Sequence, residues 1–64
     1  MLPHMNTEPI LIKRYAARRL YNTASASYVT VDDLAELVFH RIRFTVRDAE
    51  TGQDITRNML DQLN

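Results

Sequence analysis

Thr30 opens the segment that most restricts how this chain can fold. Its hydroxyl is placed to accept the N–H of Asp33, Asp32 and Asp33 fall where a helix dipole favours negative charge, and Val29 is placed to pack on Leu34 as a hydrophobic staple. These signals predict a helix from Val31 to His40. Its apolar stripe is Val31, Leu34, Ala35, Leu37 and Val38, while Asp32, Asp33 and Glu36 face water. A helix of about ten residues is not stable alone in water, so that stripe must pack against something.

The remaining chain supplies strands and a second helix. Ile10 to Tyr15 reads as a strand started after Pro9, with Ile10 and Ile12 on one face and Leu11 and Lys13 on the other. Leu20 to Thr23 either pairs back on it as a hairpin across Ala16 to Arg19, or Ala16 to Arg19 forms a helical turn, which its composition also favours. Ala24 to Ser27 reads as a connector. Phe44 to Asp48 alternates like a half-buried strand, and Gly52 sits where a left-handed turn residue is needed, so Asp54 to Thr56 is expected to return as the second strand of a hairpin. Thr56 is then expected to cap a second helix, with Ile55 stapled onto Leu60 and with Met59, Leu60 and Leu63 on one face. The expected fold is α+β: N-terminal strand segments, helix, β-hairpin and C-terminal helix, completed by oligomerisation. Met1 to Pro9 reads as a flexible polar tail ahead of a domain at 10–64, and Met1 to His4 are set aside from fold reasoning. The pattern of the second helix is still running at Asn64, which predicts a piece of a longer protein.

Size explains why oligomerisation is expected. A domain of 64 residues buries only about 60% of its unfolded surface and is marginally stable without help. The chain has no cysteine, so neither disulfides nor thiolate metal sites supply that help, and His4 and His40 are too few and too far apart for a structural zinc site. The stripes containing Leu34, Leu37 and Val38, and Met59, Leu60 and Leu63, are therefore the candidate interface of a homodimer or tetramer. The lack of cysteine also fits a reducing cytoplasm. No apolar run reaches the length of a membrane span, and Met1 to Asn6 lacks a signal-peptide core.

Chemistry concentrates in Ile12 to Thr23. Lys13, Arg14, Arg18 and Arg19 lie among Tyr15, Tyr21 and Asn22 with no acidic residue between them. Such like charge repels itself, so the stretch reads either as a site for a polyanion such as a phosphate backbone or as a solvated charged face. Net charge is zero, but residues 1–31 carry +3 and residues 32–64 carry −3, and this asymmetry is the informative quantity. Within an extended segment, Arg18 and Arg19 point to opposite sides. Tyr21 and Tyr28 read either as core residues with surface hydroxyls or as base contacts.

Catalysis has little support. Ser25 and Ser27 lie in the connector with no histidine at a useful spacing, and there is no glycine-rich phosphate loop. Asp48 and Asp54 fit a solvated hairpin end better than a working carboxylate pair, and His40 fits the last turn of its helix. The expectation is a chain that is not an enzyme and needs no metal or cofactor.

Three blocks carry a resemblance. Lys13-Arg-Tyr followed by Arg18-Arg-Leu-Tyr-Asn-Thr23, then Tyr28-Val-Thr-Val-Asp-Asp-Leu-Ala-Glu-Leu-Val38, then Val46-Arg-Asp-Ala-Glu-Thr-Gly-Gln-Asp-Ile-Thr-Arg57, resemble the N-terminal DNA-binding domain of the polyhydroxyalkanoate synthesis repressors, in the same order and spacing. The similarity runs from Ile12 to Asn64. Two departures stand out: Ala16-Ala17 replaces the family's usual Pro-Asn, and His40-Arg-Ile-Arg43 replaces an acidic, glycine-containing loop. The resemblance implies a cytoplasmic bacterial repressor that binds double-stranded DNA at polyhydroxyalkanoate storage genes, such as those of phasins. It also implies release of repression when the protein is drawn to the polymer granule. On that reading Lys13, Arg14, Tyr15, Arg18, Arg19, Tyr21 and Asn22 contact DNA, on phosphates or base edges. The rival readings are a protein or polymer-granule interaction module without DNA reading, and a single-stranded RNA binder that stacks bases on tyrosine.

Overall fold

The computed structural model describes residues 8–16 and 18–63. The tail read at Met1 to Pro9 lies outside the described residues except for Glu8 and Pro9, as do Ala17 and Asn64. The described residues form four strands and two helices: β1 (Ile10–Tyr15), β2 (Arg19–Asn22), β3 (Ser27–Val29), α1 (Val31–Phe39), β4 (Phe44–Asp48) and α2 (Thr56–Gln62). The strands make one mixed sheet in the order β3-β2-β1-β4, which is a small α+β fold.

The first hairpin resolves the ambiguity at Ala16 to Arg19 in favour of strand pairing. β1 and β2 run antiparallel with Ile12 opposite Asn22 and Tyr15 opposite Arg19. Ala16 enters the turn with φ +48, and Arg18 N–H donates to its carbonyl at 2.7 Å. The segment from Ala24 onward is not all connector, because Ser27 to Val29 adds a third antiparallel strand with Tyr21 opposite Tyr28. β4 then pairs parallel to β1, with Ile12 opposite Val46 and Arg14 opposite Asp48.

The local signals around Thr30 are realised. Its hydroxyl accepts from Asp33 N–H at 3.2 Å, and the Asp33 carboxylate accepts from Thr30 N–H at 2.8 Å, completing a capping box. The helix ends one residue earlier than expected, with His40 as its C-cap. Only Leu34 of the stripe is fully buried and Leu37 half-buried, whereas Val31 and Val38 stay exposed. A short helix crossing a four-stranded sheet presses one row of side chains inward rather than the whole apolar arc.

The second hairpin is smaller than expected. Gly52 takes the left-handed turn position at φ +76, and its N–H donates to the Asp48 carbonyl at 2.7 Å. Beyond it, Asp54 makes a single antiparallel bridge to Arg47 instead of a strand. Nor does Thr56 cap α2, whose N-cap is Ile55 without a side-chain bond. The Thr56 hydroxyl instead accepts from Val46 N–H at 2.8 Å and lies 2.6 Å from Asp54 Oδ1, tying the helix start to β4. Ile55 is buried, and it joins Ile12, Leu20, Leu34, Val46 and Met59 in the core between the sheet and the helices.

Candidate nucleic-acid interface

The strand registers sort the basic and aromatic residues by face. Side chains alternate along a strand, and residues directly opposite one another share a face. Ile12, Leu20, Asn22, Val29 and Val46 therefore point to the helices, where all five are buried or half-buried. The opposite face carries Lys13, Tyr15, Arg19, Tyr21, Tyr28 and Arg47. No described helix covers it, and the four strands place no carboxylate on it.

This face is internally organised. Tyr21 and Tyr28 meet edge to face, their ring centroids 5.2 Å apart and their planes at 73°. The Arg19 guanidinium carbon lies over the Tyr28 ring, 5.7 Å from its centroid. Tyr28 is 61% exposed, and Lys13 lies half-buried between Tyr21 and Arg47 in the register. At the β4 edge, Arg47 donates to the Gly52 carbonyl at 2.8 Å.

The seven residues expected to contact DNA do not stay together. Lys13, Tyr15, Arg19 and Tyr21 share the open face. Arg14 points to the other side, where it donates to Asp48 Oδ2 at 3.1 Å with its side chain only 25% exposed. Arg18 sits in the turn and lines a shallow depression with Leu20, Val29 and Met59 on the helix side. Asn22 is buried, and its Oδ1 accepts from Ala24 and Ser25 N–H at 2.8 and 3.1 Å, which organises the turn into β3. Sequence reasoning did not assign Tyr28 and Arg47 to the face. The missing signal was the strand identity of Ser27 to Val29 and the parallel pairing of β4, since only a register tells which side a residue takes.

Two carboxylates that resembled a pair have separate structural tasks. Asp48 Oδ1 accepts from Glu50 and Thr51 N–H at 2.8 and 3.1 Å, and these bonds, with the Arg14 guanidinium, hold its pKa below the ordinary 3.8. The Thr56 hydroxyl and N–H do the same for Asp54, with nearby Arg47 adding to the effect. His40 Nε2 lies 3.4 Å from Glu36 Oε1, one turn away on α1.

Of the residues expected at an oligomer interface, Leu34 and Met59 belong to the chain's own core and offer no surface to a partner. Val38, Leu60 and Leu63 line a groove between the helices together with Ala35 and Phe39. Leu37 packs half-buried against the core. No helix among the described residues is long and apolar enough to cross a membrane.

Comparison with known proteins adds an assignment to this geometry. The chain is 44% identical over 59 residues to an uncharacterized protein of Allochromatium vinosum, a match covering 92% of this chain and 38% of that protein. It is 42% identical over 59 residues to an uncharacterized protein encoded in the phbA 5′ region of Thiocystis violacea, covering 92% of this chain and 42% of that one. The chain thus spans about two-fifths of the length of these curated relatives. No solved structure matches it. The model of the PHB/PHA accumulation regulator DNA-binding domain matches residues 11–63, from the second residue of β1 to the end of α2. A match over the whole of the sheet and both helices places this chain in the PHB/PHA accumulation regulator DNA-binding domain family, whose members are regulator domains and not enzymes.

Proposed function

We propose that the domain binds double-stranded DNA sequence-specifically through the open face of its sheet, as part of a cytoplasmic bacterial repressor of polyhydroxyalkanoate storage genes such as those of phasins. The observation that carries the reading is the collection of Lys13 and Arg19 among three tyrosines on a face where the strands place no carboxylate. Cations there meet phosphates without competing internal ion pairs, and arginine additionally offers a fork of donors to guanine edges. A two-stranded ribbon fits the major groove of B-form DNA, so β1 and β2 with their turn are the elements that enter it. The protein acts as a homodimer or tetramer, which brings two such faces to one site. Contact with the polymer granule, and release from DNA there, belong to the wider regulator.

Binding of labelled duplex, single-stranded DNA and RNA across a salt series tests this reading. Duplex is expected to bind tightest, and removing one phosphate-neutralising cation per protomer flattens the slope of log affinity against log salt by about 0.9. Lys13→Ala and Arg19→Ala are each expected to do so, while Arg14→Gln leaves the slope unchanged because Arg14 is engaged with Asp48. Unchanged duplex affinity in the Lys13→Ala, Arg19→Ala double variant would remove the sheet face from the mechanism. Tighter binding of RNA or single strands would favour a stacking platform instead.

A further inference from the structure

We infer that Tyr28 is a positioning residue for Arg19, and that Arg19 is the arginine that reads base edges while Lys13 supplies phosphate affinity. The inference rests on the duplex-binding reading above and divides its labour. Among the cations of the basic stretch and the open face, Arg14 is committed to Asp48, Arg47 donates to Gly52, and Arg18 lies toward the helices. Arg19 alone among them is held against an aromatic ring on the open face.

That ring is itself oriented. Tyr28 stands opposite Tyr21 across β2 and β3, and the edge-to-face contact between them sets the plane over which the guanidinium lies. A guanidinium held over a ring keeps its N–H donors at its periphery, and it surrenders side-chain freedom before DNA arrives rather than on binding. Preorganisation of this kind matters for bidentate recognition of a base edge, where direction is as important as distance. It matters little for a phosphate, which a flexible ammonium such as Lys13 satisfies as a point charge.

The exposure of Tyr28 follows from this role. Burial does not explain a tyrosine that remains 61% exposed on a three-residue strand at the sheet edge. A ring that serves as the bed for an arginine has a reason to be there. The bed is the ring face and not the hydroxyl, so phenylalanine should replace it.

The test begins by enriching a preferred duplex from a random-sequence pool with the wild-type protein. Affinity is then measured for that duplex and for a scrambled duplex of equal length and composition. Tyr28→Leu and Arg19→Lys are each expected to lower the ratio of the two affinities about tenfold, with the scrambled duplex bound nearly as before. Tyr28→Phe keeps the wild-type ratio, because the ring face that attracts the cation is retained. Lys13→Gln weakens both duplexes alike. Tyr28→Leu adds nothing further in an Arg19→Lys background, since both remove one unit.

Far-UV circular dichroism checks that each variant is folded. If Tyr28→Leu is not, Tyr28→Thr, also a strand former without a ring, replaces it. An unchanged ratio in Arg19→Lys or in the ring-less Tyr28 variant overturns the inference while leaving duplex binding intact. Equal loss in Tyr28→Phe also overturns it, by showing that the hydroxyl and not the ring is used. A pool that enriches no sequence would overturn specific duplex reading, and this inference with it.

Discussion

Asp48 holds together more of the site than any other single carboxylate. One oxygen gathers two turn N–H groups and the other receives Arg14, so a side chain in the β4 turn fixes a cation on β1 thirty-four residues earlier. The same bonds depress its pKa, led by the Glu50 N–H, and the Thr56 hydroxyl leads a similar effect at Asp54. A carboxyl whose folded pKa lies below its unfolded value contributes stability above the ordinary value of 3.8, and that contribution is lost as pH falls through the lower, folded value. The melting temperature is therefore expected to hold steady above about pH 5 and to decline below the ordinary carboxylate range. Asp48→Asn should melt lower at neutral pH and show a shallower acid decline. Melting curves followed by circular dichroism across pH check this, and identical acid dependence in Asp48→Asn and wild type would contradict it.

At the scale of elements, the two threonines preceding or opening helices work by different means. Thr30 caps α1 locally, and Thr30→Ala is expected to cost about 1 kcal/mol by releasing helix N–H groups. Thr56 instead joins two elements, because its hydroxyl accepts from Val46 N–H inside the β4 edge and neighbours the Asp54 carboxylate. Thr56→Ala leaves that strand N–H without a partner in a half-buried position, for an expected cost of about 1–3 kcal/mol. Thr56→Ser should recover most of it. Urea unfolding of the three variants measures these differences, and a Thr56→Ala protein as stable as wild type would show that the hydroxyl contributes nothing to the α2–β4 junction.

The whole molecule is small for the work of staying folded. Its buried hydrophobic core comprises Ile12, Leu20, Leu34, Val46, Ile55 and Met59, while Phe39 is 78% exposed and Val38, Ile42 and Leu60 are also open to water. Val38 and Leu60 line both the groove beside Phe39 and the depression beside Ile42, so this apolar surface is continuous across the outer side of the helices. We expect a second copy to cover it, which leaves the basic sheet face on the other side free. Light scattering coupled to gel filtration should give at least a dimer at micromolar concentration. Phe39→Ser combined with Leu60→Ser should shift it to monomer and lower the melting temperature, whereas a folded wild-type monomer would rule the arrangement out.

The α1 boundaries, the β1 and β4 strands and the Gly52 turn were legible in the sequence because their causes are local. A threonine hydroxyl reaching three residues on, an alternating apolar pattern and a positive φ all act within one turn or one strand. So was the concentration of charge between Lys13 and Arg19. What those charges do depended on partners far away in the chain. Arg14 was indistinguishable from Lys13 until parallel pairing put Asp48 beside it, and Tyr28 acquired an arginine only once Ser27 to Val29 became a strand. Thr56 carried the signature of a helix cap, yet the nearby edge of β4 claimed its hydroxyl. Local composition determined which segments are strand, helix or turn. Strand register, which the core enforces because a slip of one residue would turn every apolar side chain outward, decided which side of the sheet each functional residue occupies.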